Sequence, residues 1–340
     1  MEFLDNILDK RVHVICNELD KLTIKQKLPL QNWIYKKGTF FRPEEADAAE
    51  EPWENFDSET MHWYGPDAHY WFRCCFTVPE SMDGKSMWVH IQTQIDEWDD
   101  GKNPQFLLFV NGRVTQGLDM NHRDVCLSKS ASAGEELTLD IQAYTGTLHS
   151  EFHLIAKLVE VDEEVRALYY DLDVPLRGFS RMERDDKVRR DLEHVLNEAV
   201  NKLDLRTPYS DAFYASVAEA RAYLAKALYE DMAGYSDVIA TCIGHTHIDV
   251  AWWWTVAQTR EKVARSFATV LKLMDEYPGY RFMSSQPQLY WFLKQRYPEV
   301  YEEVRQRIKE KRWEPEGGMW VEADCNLTSG ESLARQFLYG

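Results

Sequence analysis

The chain has 340 residues, 44% of them hydrophobic and 13% aromatic, which is ample for packed cores in two or three domains and excludes a disordered polymer. Its 39 lysines and arginines stand against 57 acidic residues, and a formal charge of −18 repels phosphate backbones and anionic lipid. No nucleic acid and no membrane surface is therefore expected as a partner, whereas sugars and metal cations stay open.

The six cysteines are scattered, with no paired spacing, and read as reduced thiols. The first residues lack a basic start followed by an apolar core, and no run approaches the ~20 apolar residues of a membrane span. The expected location is cytoplasmic. In that compartment the sequon Asn326-Leu327-Thr328 would go unmodified.

Residues 1–29 read as an N-terminal docking helix, with Phe3, Leu4, Ile7, Leu8, Val12, Ile15 and Leu19 at helical spacing. Residues 30–165 change to short alternating runs, such as Tyr70, Phe72, Cys74, Phe76 and Val78, with further strands at 87–93, 106–110, 137–143 and 152–161. Asn111-Gly112 between two runs is a strong hairpin signal, because both residues tolerate positive φ. Strands at this spacing imply a β-sandwich accessory domain. Residues 166–235 read as a helical connector with amphipathic helices at 188–203 and 212–228, the second capped by Ser210.

Residues 236–340 alternate strand and helix: strand 238–243, helix 263–274, strand 281–284, helices within 289–309, strand 313–317 and a last helix with Thr328 and Glu331 at capping-box spacing. That alternation implies a parallel sheet with crossover helices. Three strands are too few to close a barrel. The expected fold class is thus multidomain α+β and α/β: a sandwich, a connector, then the first βαβαβ part of a (β/α) barrel-like catalytic domain, incomplete in this chain.

His247 and Asp249 follow the expected strand 238–243, and residues two apart on extended backbone share a face, so both would project from its carboxyl end. Open α/β sheets bind ligands there. Imidazole and carboxylate are suitable zinc ligands, and His245 on the same face could support them. The same pair reads equally as two residues bonded to each other at a strand end. Trp252, Trp253 and Trp254 come next; at least one is expected to line a concavity, the alternative being packing between helices. The segment 313–324 begins as a strand, breaks at Gly317-Gly318 and brings Glu322 and Asp324 to the same rim. Glu314, Glu316 and Glu322 also read as a solvated loop. Asp324 is not expected to cap the helix that starts near Thr328.

Taken together, residues 244–252, 317–324 and 326–340 (NLTSGESLARQFLYG) resemble the start of the catalytic domain of glycoside hydrolase family 38 α-mannosidases, in the cytosolic and microbial branch. The segments Trp71-Phe72-Arg73 and Gln116-Gly117-Leu118-Asp119 are similar to that branch's accessory region. The resemblance implies a retaining, zinc-dependent hydrolase of α-mannosides that works through a glycosyl-enzyme intermediate. It implies His247, Asp249 and Asp324 as ligands of one Zn2+, Asp324 also as nucleophile, and Trp252 as the aromatic beside the sugar. The family's fourth zinc ligand, a histidine, and its general acid are expected beyond residue 340, so this part alone is expected to be inactive. The implied partner is an α-mannoside oligosaccharide, and a homo-oligomer is expected from the exposed edge of an unfinished sheet. Two other readings stay open: a metal-dependent sugar deacetylase, and a non-catalytic carbohydrate-binding module within residues 30–165.

Overall fold

The computed structural model describes residues 2–93, 104–147, 151–179, 181–183, 185–233 and 238–340. The expected boundary between connector and catalytic part, at 235 and 236, lies outside these residues. Helix α1 (Glu2–Leu22) leads into strands β1 (Ile24–Pro29), β2 (Trp33–Lys37), helix α2 (Pro43–Ala48), β3 (Glu54–Phe56), β4 (Trp63–Tyr64), β5 (His69–Thr77) and β6 (Met87–Gln92). Then come β7 (Gln105–Val110), β8 (Arg113–Leu118), β9 (Asp124–Ser128), β10 (Glu136–Tyr144), β11 (Glu151–Phe152) and β12 (Ile155–Val161).

These strands form an antiparallel four-stranded sheet in the order β1-β12-β6-β9, a six-stranded one in the order β3-β2-β5-β10-β7-β8, and a small β4-β11 pair. The hairpin between β7 and β8 turns on Asn111 (φ 49°) and Gly112 (φ 77°), with Val110 opposite Arg113. Tyr70, Phe72 and Cys74 of β5 and Phe106 and Leu108 of β7 face a core shared with Val89, Ile91 and Leu158 of the four-stranded sheet. Their alternates Trp71, Leu107 and Phe109 face a second core, built with the helices of residues 256–309. A strand buried on both faces needs no polar alternates, which is why residues 106–110 read as an unbroken apolar run.

Helices α3 (Glu163–Phe179), α4 (Lys187–Asn201) and α5 (Asp211–Lys226) follow. Ser210 caps α5 through the Phe213 amide. The docking partner of α1 is this helical group: Val12, Cys16 and Leu19 are buried with Leu168, Leu172, Leu196 and Phe213.

The last part contains β13 (Gly244–His245), α6 (Val256–Glu276), β14 (Phe282–Met283), α7 (Pro287–Arg296), α8 (Pro298–Lys309), β15 (Trp313–Glu314) and α9 (Gly330–Tyr339). The three strands pair in parallel in chain order. Two expectations need correction. The expected strand 238–243 is not a strand: Val238 and Ile239 are 81% and 92% exposed, because pairing with β14 begins only at Gly244. The cap of the last helix is Ser329, whose hydroxyl accepts from the Ser332 amide, while Glu331 pairs with Arg335 instead of closing a capping box.

The six-stranded sheet and α6 meet closely. A side chain added at Gly117 of β8 would begin 2.7 Å from the Arg265 carbonyl oxygen, so only glycine permits this approach. Around it Arg265 donates to Gln105 at 2.8 Å, and His69 Nε2 lies 2.9 Å from Glu261 Oε1. These polar groups are nearly all buried, and they are satisfied across the seam.

Candidate active site

The site lies where the backbone leaves the carboxyl ends of the three parallel strands. Past β13, alternation continues into the loop: Ile248 is buried in the second core while His247 and Asp249 stay on the outer side. His247 Nε2 lies 3.1 Å from Asp249 Oδ1, and Nδ1 of the same ring lies 2.7 Å from Glu322 Oε2. An imidazole gripped through both nitrogens is held in one orientation, and an outer carboxylate of this kind is what commonly orients a metal-binding histidine. His245, expected beside the pair, is engaged elsewhere: its Nδ1 lies 3.0 Å from the Met283 carbonyl oxygen.

Asp324 stands apart. Its Oδ1 accepts from the Asn326 amide at 2.7 Å, and its carbonyl accepts from Thr328 N at 3.3 Å. Among the described residues no hydrogen bond or ion pair joins Asp324 to His247 or Asp249, and no group of three or more His, Cys, Asp or Glu is disposed to hold a metal ion. The structure thus brings together His247, Asp249 and Glu322, and leaves Asp324 bonded within its own turn.

Trp252, three positions after Asp249, is 66% exposed and meets Trp253 and Trp254 edge-on, at 5.9 and 5.6 Å between ring centroids. Trp254 donates from its indole to the Asp249 carbonyl at 3.1 Å, which ties the aromatic run to the expected ligand loop. It is also the tryptophan that lines a concavity, a cavity of about 420 Å3 between α6 and the end of β8, bordered by Asp119, His122, Thr246, His247 and Lys262. Lys262 Nζ sits 4.2 Å over the Trp254 ring. In the same cavity wall, the Asp119 carboxyl would be raised by burial, but His122 and the turn amides outweigh that and hold it below its ordinary range.

Beneath the rim the second core is rich in aromatic rings. Trp313 packs on Phe267 and Phe282 and donates to Tyr290 Oη at 2.9 Å. Tyr290 in turn donates to the Ser284 carbonyl at 2.7 Å, and burial pushes its hydroxyl up to about 12, so it stays a donor.

Sequence reasoning placed Glu322 on the rim but weighed it as solvated loop. It missed Ser285, whose hydroxyl bonds Glu322 Oε1, and Gln286, which bonds the Ile248 carbonyl and the Glu322 amide. The available signal was the polar run Ser284-Ser285-Gln286 at the carboxyl end of a parallel strand, just before Pro287 opens a helix.

Residues 237–340 match the glycosyl hydrolases family 38 N-terminal domain. Alpha-mannosidase G of Dictyostelium discoideum is 28% identical over 84% of this chain and 27% of its own length. Alpha-mannosidase 2C1 of Homo sapiens is 32% identical over 79% of this chain and 26% of its own. The alpha-mannosidase of Saccharomyces cerevisiae is 34% identical over 56% of this chain and 18% of its own. The chain therefore spans about a quarter or less of the length of these relatives. It is residues 237–340 that carry the likeness to a family: they match the N-terminal domain of glycosyl hydrolase family 38.

Proposed function

We propose that this chain carries the opening part of the catalytic centre of a retaining, zinc-dependent α-mannosidase. The observation that carries the reading is His247 bracketed by Asp249 and Glu322 at the ends of parallel strands. Two donors of the right chemistry converge there, and the ring is already fixed from its far nitrogen, so the pair fits a zinc ion. His247 and Asp249 would hold the metal and Asp324 would complete the set from this chain. When bound, zinc supplies a Lewis-acid centre that grips sugar hydroxyls.

The remaining steps fall to side chains. Asp324 attacks the anomeric carbon, the glycosidic carbon–oxygen bond breaks, and the departing oxygen takes a proton from a general acid. Water then releases the sugar from the Asp324 ester. Trp252, largely exposed three positions after Asp249, would offer an aromatic face to the sugar ring. Residues 30–165 serve as the sandwich-like accessory domain and 166–235 as the connector. Because the outer face of the six-stranded sheet is packed against α6–α8, that region acts as support for the catalytic part, which weighs against an independent carbohydrate-binding module.

The free state of all six cysteines supports a reducing, cytoplasmic setting. No helix among the described residues is long and apolar enough to cross a membrane. Self-association is proposed through the exposed apolar side chains of α9.

The test is covalent trapping. An enzyme carrying this chain is treated with a fluorinated, activated α-mannoside and digested, and the label is located by mass spectrometry. A mannosyl ester on Asp324 is expected. Metal-dependent acetyl release from an acetylated sugar, with no label on Asp324, would establish the deacetylase instead.

A further inference from the structure

Four residues from three strand ends close a ring of contacts. Gln286 Nε2 donates to the Ile248 carbonyl at 2.9 Å, and Ile248 is flanked by His247 and Asp249. His247 Nδ1 lies 2.7 Å from Glu322 Oε2, and the Glu322 amide donates back to Gln286 Oε1 at 3.2 Å. Gln286 is only 3% exposed, so both ends of its amide are used where an unpaired polar atom would be costly.

Its backbone is unusual as well. Gln286 has φ 66°, in the left-handed region that a residue with a long side chain rarely takes, and it directly precedes Pro287 at the start of α7. Such a conformation persists where surrounding contacts demand it, and these outliers gather at functional sites. Although Gln286 is the N-cap of α7, its side chain makes no cap hydrogen bond. The amide is thus not committed to the helix; it reaches sideways to the two loops that carry the expected ligands.

We infer that Gln286 is a positioning residue of this site: its buried amide sets the spacing and orientation of the His247–Asp249 loop against the Glu322–Asp324 loop. The Ile248 carbonyl lies between His247 and Asp249 along the chain, so a bond to it restrains the backbone that carries both side chains. The Glu322 amide likewise anchors the residue that holds the His247 ring. A site of this kind needs its groups within about 0.5 Å of their working places, and loops alone do not supply that precision. The bearing on metal binding rests on the zinc reading proposed above; the positioning of the ring does not.

The experiment uses the chain itself with Gln286→Met, which keeps length and removes both bonds. Gln286→Asn is the second variant, since asparagine tolerates left-handed backbone but is too short to reach both partners. Long-range 1H–15N spectra of the imidazole rings, assigned with His247→Asn, report the setting of His247. In both variants the His247 resonances are expected to move to where Glu322→Ala puts them, while the rings of His69, His90 and His122 stay in place. Affinity for Zn2+, measured by calorimetric titration, is expected to fall about tenfold or more. Unmoved His247 resonances in a folded variant overturn the inference, and a moved ring with wild-type Zn2+ affinity overturns its bearing on metal binding. Failure of both variants to fold also overturns it, since Gln286 is then a general structural residue. A wild-type chain that binds no Zn2+ removes the metal reading, while the ring resonances still decide the role of Gln286.

Discussion

His247 Nδ1 lies 2.7 Å from Glu322 Oε2, which couples the loop after the first parallel strand to the loop after the third, 75 positions later in the chain. The contact leaves Nε2 turned toward Asp249.

Removing that contact should loosen the ring without unfolding the domain, because the side chain of Glu322 is 39% exposed. Glu322→Ala is therefore expected to weaken Zn2+ binding by about tenfold to a hundredfold, as loss of an orienting carboxylate typically does. Calorimetric titration checks it, and an affinity equal to wild type would mean that Glu322 is merely a neighbour.

Asp324→Asn should leave the fold intact, since an asparagine side-chain oxygen can still accept from the Asn326 amide. If Asp324 is the nucleophile, turnover of an aryl α-mannoside by an enzyme carrying the change should drop by at least about 4 kcal/mol of transition-state stabilisation. Retention of a tenth of the wild-type rate would reassign the role.

Gly117→Val tests the seam between the sheet and α6. The new Cβ would start 2.7 Å from the Arg265 carbonyl oxygen and 2.8 Å from Arg265 Cβ, both held by a helix that cannot shift alone. Overpacking of this kind costs roughly 1–3 kcal/mol, visible as a lower urea midpoint. A midpoint unchanged within error would show that the seam is loose in solution.

The start of α3 gives a pH dependence. Asp162, 5% exposed, accepts from the Val165 amide at 3.1 Å and from Tyr214 at 2.6 Å, with Lys25 at 3.0 Å. Burial would raise its carboxyl, but Tyr214, the Val165 amide and Lys25 outweigh burial and hold it below its ordinary range. A lowered folded value means that the carboxylate's contribution is complete above the unfolded value, about 4, and is lost as pH falls through the folded one. Asp162→Asn is expected to cost about 1–3 kcal/mol at pH 7 and to flatten the acid limb of the stability profile. Parallel acid limbs in the two proteins would rule out this carboxylate as a contributor.

Helix α9 buries none of its residues, and Phe337, Leu338 and Tyr339 are 62%, 76% and 63% exposed. Apolar surface of this density favours association. The purified chain is expected to sediment as an oligomer, and the pair Phe337→Glu with Leu338→Glu to shift it toward monomer. A concentration-independent monomer in the wild type would contradict the expected homo-oligomer.

Much of this structure is local and therefore legible in the sequence. The alternation of Tyr70, Phe72 and Cys74, the Asn111-Gly112 turn, the Ser210 cap and the parallel order of the last three strands follow from side-chain period, allowed φ and capping chemistry within a few residues. So does the pairing of His247 with Asp249, two residues apart. What only the tertiary structure decided depends on partners far along the chain. Residues 238–243 have strand propensity but do not form a strand, since the pairing of this segment with β14 begins only at Gly244. Leu107 and Phe109 are buried because α6–α8 cover the far face of their sheet, a fact absent from their own segment. Glu322 and Gln286 belong to the site for the same reason: each is an ordinary polar residue until packing sets three strand ends side by side, and only then do charge and hydrogen-bond geometry select the His247 ring and the Ile248 carbonyl as their partners.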